Sequence, residues 1–94
     1  MKTENKILEM SFDFSLKIIA LYKRMHEKKE YVLAKHLLRS ATGIGANAEE
    51  ATAARSKRDF IAKMAIASRE TWETRFWLRL LEKAVELKLN SHIF

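Results

Sequence analysis

Glu70 and Glu73 are the residues of this chain whose type and spacing come nearest to chemistry. Side chains three apart share one face of a helix. Two carboxylates so placed can bind a cation or move a proton. They belong to a line, Lys63, Ile66, Glu70, Glu73 and Trp77, that steps three and four residues at a time. A matching line, Ser40, Gly43, Asn47 and Glu50, runs through the preceding segment, with Arg39 one residue ahead of it. Counted from the turn between the two segments, Arg39 falls level with Glu70 and Glu73. The acid pair therefore has a structural competitor, an Arg39–carboxylate bridge inside a helical bundle. A di-metal bundle takes Glu-x-x-His pairs. The residues three after Glu70 and Glu73 are Glu73 and Phe76, so no His completes such a pair. The bridge is the expectation, with no catalytic residue, metal or cofactor.

The other chemistry-bearing residues point the same way. His26 and Glu30 are four apart and His36 follows, but the set is poorly specified for a metal, and exposed polar side chains near a helix connection are expected. No Cys is present to act as a nucleophile, to form a disulfide or to hold zinc. Ser and His lack the Gly-rich elbow of a hydrolase. Gly43-Ile44-Gly45 lacks the lysine and the strand that a phosphate loop requires.

The elements that must position these residues read as helices. No Pro and only two Gly occur, so few sharp turns can be specified. A first helix is expected over about 6–29, with Ile7, Ser11, Phe14, Ile18, Leu21 and Met25 on one stripe and a second stripe beside it. Asn5 suits its N-cap, and Lys28 and Lys29 suit the negative end of its dipole. A second helix is expected over about 31–54, on a stripe of mostly small residues: Ala34, Leu37, Ala41, Ile44, Ala48 and Ala51. Gly43 and Gly45 each cost about 1 kcal/mol of helix propensity there. Because the stripe keeps phase across them, one continuous helix with a close neighbour is expected rather than a break. A third helix is expected over about 57–88, opened by Ser56 with Asp59 three residues on, the spacing of a capping box. At 1.5 Å per residue it makes a rod of roughly 45–50 Å, against ~35 Å for each of the others. Asn90 and Ser91 before an apolar pair read as the opening of a truncated fourth helix from 91. Short linkers favour antiparallel neighbours, so the expectation is an all-α, antiparallel up-and-down bundle forming a single domain over 1–94.

The 94 residues allow one small domain. Hydrophobic residues at 48% with charged residues at 32% exclude a disordered chain. A compact monomer of this size buries roughly 60–65% of its unfolded surface, so association with other copies would relieve a marginal core. No 18-residue apolar run exists to span a membrane. The N-terminal residues lack a signal pattern, and a cytoplasmic location is expected.

The run Leu37-Leu38-Arg39-Ser40-Ala41-Thr42-Gly43-Ile44-Gly45-Ala46-Asn47-Ala48-Glu49-Glu50-Ala51 resembles a signature of the bacterial four-helix bundle proteins, also called ribosomal RNA intervening-sequence proteins. Ser56-Lys57-Arg58-Asp59-Phe60-Ile61-Ala62-Lys63 matches a second signature. A third is Ala65-Ile66-Ala67-Ser68-Arg69-Glu70-Thr71-Trp72-Glu73-Thr74-Arg75-Phe76-Trp77-Leu78. Glu30-Tyr31-Val32-Leu33 also fits, and the likeness covers nearly all of the chain from about Ile7. Two departures stand out: Ala48 replaces a commonly branched apolar residue, and the sequence ends where the fourth helix of the pattern starts. The resemblance implies an up-down-up-down bundle in a ring of five subunits, with a largely unassigned biochemical role. A related branch contains accessory proteins of diversity-generating retroelements, which bind a reverse transcriptase and nucleic acid. On this resemblance, Arg39, Ser40, Asn47, Glu50, Glu70 and Glu73 form a structural polar network, and losing Arg39 is expected to unfold or disassemble the protein. Trp72, Phe76 and Trp77 share a sector of the third helix, as core aromatics or as the candidate subunit interface.

The net charge is +6, which suggests nucleic acid or another anionic partner. The surplus is spread evenly along the chain. Two concentrations remain, Lys23, Arg24, Lys28 and Lys29 at one end and Arg55, Lys57 and Arg58 at the other. On one chain these are solvated ends. Weak singly but repeated around a homo-oligomer, expected to be a pentamer, they become candidate nucleic-acid contacts through multivalency. The expectation is a non-enzymatic accessory or scaffold protein that contacts RNA, DNA or a nucleic-acid enzyme such as a reverse transcriptase. The alternative is a protein-only interaction scaffold.

Overall fold

The computed structural model describes residues 2–91. Among them there are three helices and no strand: α1 Lys2–Glu27, α2 Tyr31–Thr52 and α3 Lys57–Ser91. The molecule is a rod 57 Å long and about 20 Å across, as extents of 57 × 21 × 19 Å record. The 35-residue α3 accounts for most of that length.

The helix ends differ from the sequence expectation in four places, three of them in α1 and α3. Helix α1 starts at Lys2, so Asn5 lies inside it rather than capping it. Nothing in Lys2-Thr3-Glu4 interrupts a helix, since none of these residues carries the penalty of Gly or Pro. Helix α1 stops at Glu27, two residues early, because Lys29 takes the left-handed conformation with φ 65°. The Glu30 N–H then donates to the Met25 carbonyl and the Lys29 N–H to the His26 carbonyl, both at 3.0 Å. This is the Schellman arrangement, in which the last carbonyls of a helix are satisfied by the chain turning away. Its left-handed position normally belongs to Gly. At the other end of the chain, Asn90 and Ser91 continue α3 and do not open a new helix. No fourth helix occurs among the described residues, and residues 92–94, where it was expected to run, lie outside them. A good capping residue only starts a helix where the preceding one has ended, and nothing between Lys88 and Ser91 breaks α3.

Helix α2 runs unbroken through Gly43 and Gly45 and ends at Thr52, two residues before the expected boundary. It occupies the centre: it packs against both α1 and α3, whereas α1 and α3 make no close backbone approach among the described residues. That position explains its composition. A helix flanked on two sides needs short side chains on both flanks, and Ala34, Ser40, Ala41, Gly45, Ala48 and Ala51 are all buried. The core cluster joins Ile18 and Met25 of α1 to Ala34, Leu37 and Ala41 of α2, with Leu78 and Leu81 of α3 packed against it. Helix α3 begins where expected, with the Asp59 N–H donating to Ser56 Oγ at 3.1 Å, one arm of the capping box. Contacts across α2 and α3 fall in reversed chain order. Glu50 meets Lys63 near the turn, and Ser40 meets Thr74 farther from it.

Candidate functional site

The polar residues singled out in the sequence separate into distinct groups along α2 and α3. Arg39 is the hub of the first. Its Nη1 donates to both carboxylate oxygens of Glu70, at 3.3 and 3.4 Å, and its Nη2 donates to Glu73 Oε1. Trp77 Nε1 donates to the same Glu73 oxygen at 3.4 Å. The other face of the Trp77 indole stacks on His36 at 4.6 Å and 13°. The hydrogen bond from Arg39 holds the Glu73 carboxyl below its ordinary pKa, against a smaller desolvation effect that raises it, and the pairing raises Arg39 in turn. Glu73 is therefore held as the anion, the opposite of what a general acid needs. Arg39 is 54% exposed. Pairs of this kind are worth about 0–1 kcal/mol, too little for the loss of Arg39 to unfold the chain.

Glu70 reaches this position because residue 43 is Gly. A Cβ there would stand 3.3 Å from Glu70 Cδ, tighter than an ordinary contact. At Gly45 an added Cβ would meet Ser11 Oγ and Ser15 Oγ of α1 at 3.5 Å and the Ser11 carbonyl oxygen at 3.6 Å, all ordinary contacts. Each glycine thus admits a different neighbour, Glu70 on one side of α2 and α1 on the other.

The second group is the buried hydroxyl pair Ser40 and Thr74, 2.9 Å apart. Thr74 also lies 2.7 Å from the Glu70 carbonyl and Ser40 lies 3.4 Å from the Leu37 carbonyl. With one proton each, the two hydroxyls bond to each other and to one helix carbonyl. Thr74 does not stand out in the sequence as a polar partner, because it falls on the mostly apolar stripe of α3 formed by Phe60, Met64, Ala67, Thr71, Thr74, Leu78, Leu81 and Val85. The only available signal was a hydroxyl residue level with Ser40. The third group is the Glu50–Lys63 ion pair at 3.0 Å, on the surface. Asn47 joins none of these, since its Nδ2 donates to the Gly43 carbonyl of its own helix at 2.8 Å.

The remaining singled-out residues sit elsewhere. His26 packs against the rings of Tyr22 and Tyr31. No group of three or more His, Cys, Asp or Glu able to hold a metal occurs among the described residues. Trp77 is half-buried against α2, while Trp72 and Phe76 are 64% and 55% exposed. Lys23, Arg24, Lys28 and Lys29 are exposed at one end of the rod and Arg55, Lys57 and Arg58 at the other. An open groove of about 430 Å³ runs between α1 and α3, with Phe14, Ile44 and Leu78 in its floor and Arg75, Arg79 and Glu82 on its rim. Among the described residues, no helix is long and apolar enough to cross a membrane.

Three packed helices with their polar residues paired across α2 and α3 define an all-α helical-bundle protein. The family model described as 23S rRNA-intervening sequence protein matches residues 3–91, and the chain belongs to that family. It is also similar to a solved structure from Bacteroides thetaiotaomicron, described as a protein with unknown function from the S23 ribosomal protein family. The identity is 46% and the TM-score 0.85, over 89% of this chain and 75% of the other. No curated protein matches this chain.

Proposed function

We propose that this protein is a non-enzymatic accessory or scaffold protein that assembles with copies of itself and binds nucleic acid, or an enzyme acting on nucleic acid, through exposed cations. One observation carries the reading. The carboxylates that could do chemistry are engaged by Arg39 and Lys63, whereas the cations at both ends of the rod are exposed. Glu70 and Glu73 hold α2 to α3 and present no free acid–base pair. The reversed order of the α2–α3 contacts supports an antiparallel, up-and-down bundle. Assembly repeats each basic end, and many weak phosphate contacts then act together.

A protein-only scaffold is the second reading, favoured by the exposed apolar residues Phe12, Leu16 and Ile19 of α1. Titration of the assembled protein with labelled RNA and DNA at several salt concentrations separates the two. The nucleic-acid reading expects binding that weakens steeply with salt. Absence of binding at low salt leaves the protein-only scaffold. Light scattering checks the assembly: a ring of five copies is expected, and a monodisperse monomer at micromolar concentration contradicts it.

A further inference from the structure

The outward face of α3 has a composition that neither the packing of the bundle nor the basic ends explain. Ile61, Ala65, Arg69, Trp72, Phe76 and Arg79 follow steps of three and four along one side of the helix, Leu80 stands four after Phe76, and all are exposed. At 100° per residue this side lies opposite Ala67 and Thr74, which face the core. Arg58 and Arg75 border it. The charged side chains on this side are arginines, with Glu73 at its edge beside Leu80 and Glu82 at its edge beside Arg75 and Arg79. Asp59 and Glu70 project elsewhere, and Glu73, at the edge of the face, is engaged by Arg39 together with Glu70. Arg69, Arg75 and Arg79 form no ion pair among the described residues. The Arg75 guanidinium lies 5.4 Å from the centre of the Trp72 ring. The face therefore combines two exposed aromatic rings about one turn apart with a flank of unneutralised guanidinium groups.

We infer that this face of α3 is a binding surface for single-stranded nucleic acid, with Trp72 and Phe76 stacking on unpaired bases and Arg69, Arg75 and Arg79 meeting phosphates. The inference rests on the nucleic-acid reading above and deepens it by naming the strand type and a site apart from the basic ends. Charge selects the partner: a surface with four arginines, bordered by Glu82 beside Arg75 and Arg79, still carries a cationic surplus that suits a polyanion. The aromatics select the strand. Bases in a duplex have their faces covered by their neighbours, so an exposed indole or phenyl ring gains from stacking only where bases are unstacked. Stacking of this kind tolerates any base and gives little sequence preference. The helix fixes the backbone positions of both rings, so only their side-chain rotamers remain to be ordered on binding. A second copy of this chain is the competing occupant, and the experiment separates it.

The test is fluorescence polarisation with a labelled 20-nucleotide poly(U) strand and a duplex of equal length, alongside light scattering. The wild type is expected to prefer the single strand. Trp72→Ala with Phe76→Ala is expected to weaken single-strand binding about ten-fold or more while leaving duplex binding within about two-fold. Trp72→Phe is expected to keep most of the affinity, which also guards against a folding defect in the alanine variant. Arg69→Gln, Arg75→Gln and Arg79→Gln together are expected to lower the salt dependence of log K by about 2, as the loss of three phosphate contacts requires. If the wild type binds no nucleic acid, the nucleic-acid reading fails and this inference with it. If it binds but the aromatic variant binds both strands as well as the wild type, the basic ends suffice and this inference alone is overturned. If the aromatic variant changes the assembly while single-strand affinity per subunit is retained, the face is a contact between copies and the inference is likewise overturned.

Discussion

The two flanks of α3 use the same residue types for opposite ends. On the inner flank Trp77 is half-buried, stacked on His36 and hydrogen-bonded to Glu73, and Arg39 pairs with both nearby carboxylates. On the outer flank Trp72 is exposed, Arg75 lies over its ring, and Arg75 forms no ion pair among the described residues. The distinction is one of accounting for charge and surface. Where an aromatic ring and a cation find partners within the chain, they fix the register of two helices. Where they meet mainly each other, as Trp72 and Arg75 do, most of their surface is still open to something else.

The largest expected difference between the flanks is in stability. Leu37 is 1% exposed between the helices, so Leu37→Ala is expected to cost about 2–5 kcal/mol. Phe76→Ala, on the outer flank, is expected to stay within about 0.5 kcal/mol of the wild type. Urea unfolding of the two variants measures both, and equal losses would erase the comparison. Next is the buried hydroxyl pair. Thr74→Val keeps the shape but leaves Ser40 without its cross-helix partner, and a loss of about 1–3 kcal/mol is expected. A double-mutant cycle with Ser40→Ala isolates the coupling.

Smaller still is the Arg39 cluster. Arg39→Gln is expected to cost about 1 kcal/mol or less, since the guanidinium is more than half exposed. Its signature is in the pH dependence. Glu73 has a lowered pKa in the folded state, so folding favours its anion. That contribution is fully present above the ordinary glutamate value of about 4.3 and is lost as pH falls through the lowered folded value. Thermal melts of the wild type should lose stability on acidification through that window, and Arg39→Gln should remove part of the loss. The smallest effect compares the two glycines. Gly45→Ala has room at 3.5 Å and is expected to recover most of about 1 kcal/mol of helix propensity. Gly43→Ala recovers less, because Glu70 must give way.

The existence of three helices was legible because each carries an unbroken apolar period, and small residues on α2 marked it as a helix with close neighbours. The level of Arg39 with Glu70 and Glu73 follows from counting residues out from a short turn. Helix ends were less legible. A lysine at Lys29 takes the left-handed role that glycine usually signals, and Asn90-Ser91 has the look of a cap although the helix runs through it. The Ser40–Thr74 bond was hidden because threonine sits on an apolar stripe without breaking its period. The separation of Trp72 and Phe76 from Trp77 was also hidden. One residue of a helix turns a side chain by 100°, and only the position of α2 shows which side of that turn is covered.

The division between a structural inner flank and a binding outer flank is tested most directly by one paired measurement. Arg39→Gln and the triple variant Arg69→Gln, Arg75→Gln, Arg79→Gln are each assayed for melting temperature and for the salt dependence of single-strand binding. Arg39→Gln should lower the melting temperature slightly and leave the salt dependence unchanged, and the triple variant should do the reverse. A triple variant that melts early yet binds as the wild type does, or an Arg39→Gln that binds with a reduced salt dependence at unchanged stability, would contradict the account.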